Sequence, residues 1–125
     1  MSPEIEKAET QRKVALFTFC ESPGCFIHML QNAMDMKLRG WDVKVVIEGD
    51  STKLVSLLRN ETKMGSVEWH RALQMGVIDC VCKSCAQRNG TLPAVIEQGL
   101  KTCDEMNGHP AMARYIEEGY EVITL

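Results

Sequence analysis

Short, almost continuously apolar runs alternate along the chain with stretches whose apolar positions recur at helical spacing. Lys13–Phe19 (KVALFTF) is β-branched and aromatic and stops at the turn cluster Glu21-Ser22-Pro23-Gly24, the pattern of a buried strand. From Gly24 to Arg39, residues Phe26, Ile27, Leu30, Ala33, Met34 and Leu38 recur at helical spacing, and Gly40 suits the left-handed position past a helix end. Asp42–Ile47 (DVKVVI) predicts a second strand. Leu54, Val55, Leu57 and Leu58 mark a short helix, and Ser66–Met75 a longer one closed by Gly76. Val77–Cys82 (VIDCVC) predicts a third strand, and Ser84–Arg88 one or two helical turns broken by Asn89-Gly90. Residues 91–108 are less patterned, with Pro93–Gln98 readable as helix and Leu100–Cys103 as a short strand. His109-Pro110 opens a last helix, which Gly119 closes before a terminal strand, Tyr120–Leu125 (YEVITL).

Strands alternating with helices imply right-handed βαβ crossovers and a parallel sheet covered on both faces. The near-continuous apolar strands fit that burial. The expected fold is a flavodoxin-like three-layer α/β/α sandwich with a mostly parallel sheet of about four or five strands. It forms a single domain over 13–125, behind a polar and flexible tail at 1–12. Sites in such sheets form beyond the carboxyl ends of the strands, where the winding reverses. With the first strand between the second and third, that crevice is expected between the loops leaving Phe19 and Cys82.

Charge narrows the partners. Fourteen Lys and Arg against seventeen Asp and Glu give a net charge of −3, without the basic stripe that nucleic acid or an anionic membrane surface requires. No apolar run reaches the length of a membrane span, and the start, MSPEIEKAETQR, is too polar for a secretory signal. The expected compartment is the cytoplasm.

That placement changes the reading of the six cysteines, because a reducing cytosol favours metal binding, catalysis or plain burial over disulfides. Cys20 ends the first strand and Cys25 opens the first helix. Cys82 ends the third strand, and Cys85 follows at i+3 on the same face of any helix starting there. A helix start favours an anion and lowers a thiol's pKa, and Lys83 adds a positive charge nearby. A free cysteine is also among the most buried residue types. Cys80, inside a strand, reads as a small hydrophobe, and Cys103 suggests no role.

Several other chemistries fit poorly. A phosphate-binding first loop is disfavoured by Glu21, which repels the anion, and by Pro23, which lacks an amide donor. Cys82-Lys-Ser-Cys-Ala-Gln-Arg88 matches the C-x5-R of cysteine phosphatases, but its interior has no glycine and Asn89 replaces the usual hydroxyl residue. A zinc or iron–sulfur centre on Cys20, Cys25, Cys82 and Cys85 is the stronger rival, with His28 as a substitute ligand. His70 reads as a surface helix residue, and His109 as a helix cap.

The run Gly76-Val-Ile-Asp-Cys-Val-Cys82-Lys-Ser-Cys-Ala-Gln-Arg88-Asn-Gly90 resembles the signature of the DsrE/DsrF/TusD-like sulfur-relay family. In that signature a glycine opens a strand that ends in the sulfur-carrying cysteine, and a short helix ending in arginine and glycine follows. The resemblance extends as a pattern over about residues 13–125. It implies a flavodoxin-like fold without flavin or other cofactor, homo-oligomers such as trimers or hexamers, and partners that donate and accept sulfur. It also implies that Cys82 accepts a sulfane sulfur and carries it as a persulfide. Cys85 departs from members with a single active cysteine, and is expected to resolve the persulfide as a Cys82–Cys85 disulfide or to support thiol-redox chemistry. Cys20 and Cys25 lie outside the signature.

Overall fold

Lys13–Thr18 forms β1, every residue after the first buried, and it pairs in parallel with Asp42–Ile47, β2, from Lys13↔Asp42 to Thr18↔Ile47. The computed structural model describes residues 11–125. The expected tail therefore lies mostly outside the described residues. Gln11 and Arg12 do not behave as tail: Gln11 donates to the Gly40 carbonyl, and Arg12 pairs with Glu121 at 2.6 Å while stacking on Trp41.

Between these strands runs α1 (Pro23–Leu38). Pro23 occupies its first turn, where a missing amide costs nothing, and the Ser22 hydroxyl accepts the Cys25 amide. A 3-10 turn at Gly49–Ser51, α2 (Thr52–Leu57) and α3 (Ser66–Met75) lead to β3, Ile78–Cys82. Gly76 ends α3 at φ 70°, a conformation that a side chain would strain. Then follow α4 (Lys83–Arg88), α5 (Leu92–Glu97), the two-residue β4 (Thr102–Cys103), α6 (Met112–Glu117) and β5 (Glu121–Thr124). All four strand pairings are parallel.

The fold is the expected three-layer α/β/α sandwich, but its strand order is β4-β3-β2-β1-β5. β1 lies between β2 and β5, not between β2 and β3, so the expected crevice between the loops after Phe19 and Cys82 does not form. The reason lies in the winding. Every crossover from β1 to β4 steps the same way and packs its helices on one face, where Val14, Leu16, Val45, Ile47 and Val81 meet Phe26, Leu30, Trp69, Ala86 and Val95. The crossover from β4 to β5 returns across the whole sheet on the other face, where Ala15, Phe17, Val46 and Cys80 pack beneath Tyr115 of α6. Connections leaving β3 and β4 thus depart to opposite faces. That opens a crevice at the carboxyl ends of this pair.

A bulge marks β3. Val45 pairs with Ile78 but Val46 with Cys80, leaving Asp79 unpaired. The extra residue lets both Asp79 and Cys80 meet Tyr115, whose hydroxyl donates to Asp79 and lies 3.4 Å from the Cys80 sulfur. Among the described residues, no helix is long and apolar enough to cross a membrane.

Candidate functional site

Cys82 is the last residue of β3 and caps α4, its sulfur accepting the Cys85 amide at 3.4 Å. The C-x-x-C spacing brings Cys85 back over that position by one helical turn, and the two sulfurs lie 2.9 Å apart. From the β4–α6 loop, His109 places Nδ1 3.2 Å from Cys82 Sγ and 3.9 Å from Cys85 Sγ. The Gly108 carbonyl oxygen is 3.7 Å from Cys82 Sγ. This is the crevice between β3 and β4, so the topological rule holds at a different strand pair from the one expected.

The loop that carries His109 is built to lie there. The Gly108 carbonyl accepts the Ser84 amide at 2.9 Å, satisfying one unpaired donor at the start of α4. Gly108 has φ 92°, and a Cβ on it would lie 3.1 Å from the Ser84 Cβ. Only glycine fits both the backbone and the contact. Met106 and His109 form an antiparallel bridge, while Glu105 accepts the Ala111 amide and the Arg114 guanidinium. His109 therefore does not cap α6, as the His-Pro pair predicted, because Ala111 holds that position.

Cys82 is 0% exposed and Cys85 5%, with His109 partly exposed above them. The polar atoms of Gly108, His109 and Cys85 cover the Cys82 sulfur, so it is shut in by a loop. Burial pushes the Cys82 thiol up to about 12, aided by the Cys85 thiol against it, and the Cys85 amide opposes this without prevailing. The helix-start thiolate expected from sequence is thus replaced by a resting thiol. A six-residue helix does not outweigh the loss of water. Lys83 gives no direct help, because its ammonium pairs with Asp104 at 3.7 Å.

This has a measurable consequence. Alkylation of Cys82 in the reduced, folded protein is expected to run on the order of 10²-fold slower than that of a free cysteine at neutral pH. The rate should keep rising up to about pH 12, where this thiol ionises. A plateau near pH 9 in rate-against-pH data would contradict the assignment. The same sign governs folding: a thiol with a raised native pKa contributes stability that is fully present below about pH 8.5 and is lost as pH climbs from there toward about 12.

The remaining cysteines are not free. Cys20 bonds to Cys25, and Cys80 to Cys103 across β3 and β4, leaving Cys82 and Cys85 as the free thiols among the described residues. Four of the six thus form disulfides, against the expectation from a reducing compartment. Cys80 is buried as expected, but as half of a covalent pair. The set Cys20, Cys25, Cys82 and Cys85 is not assembled as a four-thiolate centre, since the first two are bonded to each other. His28 is exposed on α1, and His70 Nδ1 is engaged by the Ser66 carbonyl on α3. Arg88 is exposed at the end of α4, a regular helix whose amides do not wrap a phosphate, which removes the phosphatase reading. Sequence reasoning missed His109 as a site residue, because a His-Pro pair reads as the start of a helix.

Fold and centre together define a class, a three-layer α/β/α domain carrying a buried thiol pair beside an imidazole. No family model matches the chain. A 34-residue stretch is 47% identical to an uncharacterized protein of Archaeoglobus fulgidus, covering 27% of this chain and 92% of that protein, and the chain belongs to the same family as that protein. An uncharacterized protein of Methanocaldococcus jannaschii is 26% identical over 99 residues, 79% of this chain and 78% of its own length. A solved structure of a conserved Bacteroides thetaiotaomicron protein of unknown function superposes with a TM-score of 0.63. It covers 89% of this chain and 94% of its own at 19% identity, a likeness of fold.

Proposed function

We propose that the protein relays sulfane sulfur through the Cys82–Cys85 pair, with Cys82 as carrier, Cys85 as resolving thiol and His109 as proton acceptor. The observation that carries this reading is the 2.9 Å sulfur–sulfur distance with an imidazole nitrogen 3.2 Å from Cys82. The resemblance of Gly76–Gly90 to the DsrE-like signature supports the same assignment.

His109 takes the Cys82 proton, and the thiolate attacks the terminal sulfur of an incoming persulfide. The donor leaves as its thiol, and Cys82 holds the sulfur as a persulfide. Cys85, deprotonated in turn, attacks the Cys82 Sγ and expels hydrosulfide, closing the Cys82–Cys85 disulfide. The dithiol loses two electrons and the sulfane sulfur gains them. Closing the bond requires the sulfurs to approach by about 0.9 Å. An external dithiol then restores the pair. The cycle implies a persulfide-bearing donor protein, a taker for the released sulfide and a dithiol reductant as partners. Exposed Phe19, Ile123 and Leu125 around β5 support assembly with further copies of this chain.

The test uses reduced protein carrying Cys20→Ser and Cys25→Ser, which removes the pair that reduction would free, and one equivalent of a persulfide donor. This protein is expected to release one sulfide per chain and finish with the Cys82–Cys85 disulfide, whereas Cys85→Ser in the same background should retain the sulfur and release at least tenfold less. Equal release from both proteins would remove Cys85 from the role of resolving thiol.

A further inference from the structure

The two free thiols and His109 place three donor atoms within 4.8 Å of one another. They come from three separate segments, namely the end of β3, the first turn of α4 and the β4–α6 loop. We propose that Cys82, Cys85 and His109 also form a binding site for a single zinc-class divalent ion, with one coordination position left open.

The donor set is two sulfurs and one imidazole nitrogen, which selects a borderline-soft ion over calcium or magnesium. Around tetrahedral zinc, sulfurs at ~2.3 Å and nitrogen at ~2.0 Å stand roughly 3.6–3.8 Å apart. Here the separations are 2.9, 3.2 and 3.9 Å, so a metal needs the closest pair to spread by under about 1 Å. The surroundings already orient the ligands. The Cys85 amide points at the Cys82 sulfur, the kind of outer hydrogen bond that steadies a metal thiolate, and Gly108 fixes the backbone that presents His109.

Charge supplies the second argument. Two thiolates buried together would leave about two uncompensated negative charges in a site shielded from water, which is costly. A divalent cation cancels them, leaving a neutral centre that suits these surroundings. Among the described residues no fourth side chain of the ligating types joins the cluster. The open position thus falls to water or to an incoming sulfur ligand, as in zinc sites that exchange ligands. Metal and sulfane sulfur compete for the same two atoms, so the loaded form does not relay sulfur.

Metal binding does not depend on the relay, and the test keeps the two apart by omitting any persulfide donor. Full-length reduced protein is titrated anaerobically with cobalt(II), and zinc is then added as competitor. The expected result is one cobalt per chain, with intense thiolate-to-metal charge transfer and tetrahedral visible bands that zinc abolishes. Cys82→Ser and Cys85→Ser should each lose charge-transfer intensity, and with His109→Ala should weaken zinc by at least about tenfold. Circular dichroism confirms that each variant is folded. A Cys20→Ser/Cys25→Ser background must leave the spectrum unchanged, because reduction frees that pair as a rival chelator. Loss of the spectrum in that background, a weak octahedral spectrum in wild type, or retention of the full spectrum in Cys82→Ser and Cys85→Ser would each overturn the proposal. Sulfur uptake is scored separately on metal-free protein, so either result stands without the other.

Discussion

His109→Ala is expected to slow sulfur uptake at neutral pH by about 10²-fold or more, the usual contribution of a positioned general base. The expectation follows from two facts about Cys82. Its thiol ionises only at about 12, and the nearest imidazole nitrogen is 3.2 Å away. Without that nitrogen the proton must leave to solvent from beneath a loop. The pH dependence separates this role from a structural one. As pH rises toward 12, Cys82 ionises without assistance, so the gap between variant and wild type should narrow. The loop itself keeps its backbone ties, because the Met106–His109 bridge and the Gly108–Ser84 hydrogen bond do not involve the imidazole. Stopped-flow uptake within twofold of wild type at neutral pH would remove His109 from the mechanism. A gap that stays constant up to alkaline pH would mark it as a positioning residue only.

Trp69→Ala is expected to cost about 3–5 kcal/mol, a large share of the roughly 5–15 kcal/mol that holds a domain of this size. Trp69 is fully buried, tilted against Phe26 at 5.9 Å between centroids, and donates its indole N–H to Gln98 at 2.8 Å. Gln98 in turn donates to the Val55 and Ala94 carbonyls. One side chain thus ties α1, α2, α3 and the end of α5 on the face carrying the larger core. Truncation leaves a cavity and strands the Gln98 carbonyl oxygen without its donor. The urea midpoint should fall steeply, and a loss below about 1 kcal/mol would contradict this packing.

Much of this architecture is readable from the chain because it rests on local pattern. Apolar runs and turn residues place β1, α1, β2 and α3 within a residue or two of their observed ends. Cys82 and Cys85 are legible for the same reason, being a strand end and the turn that follows. What the sequence hides depends on long-range pairing. The strand order turns on β3 landing beyond β2 and not beside β1, a choice that no local pattern records, and on a β4 only two residues long, too short to announce its neighbours. The Cys80–Cys103 bond follows from that same pairing, through a bulge at Asp79 with no sequence mark of its own. His109 reaches Cys82 only because Gly108 turns the loop over α4, and a His-Pro pair reads equally well as the start of a helix.

The most direct check of the account locates the sulfur itself. Reduced, metal-free wild type, Cys85→Ser and Cys82→Ser, each also carrying Cys20→Ser and Cys25→Ser so that the freed pair cannot compete, are exposed to the same persulfide donor and mapped by peptide mass spectrometry. The account predicts one added sulfur on the Cys82 peptide of Cys85→Ser, and none on any peptide of Cys82→Ser. Equal sulfur uptake by Cys82→Ser and wild type would contradict it.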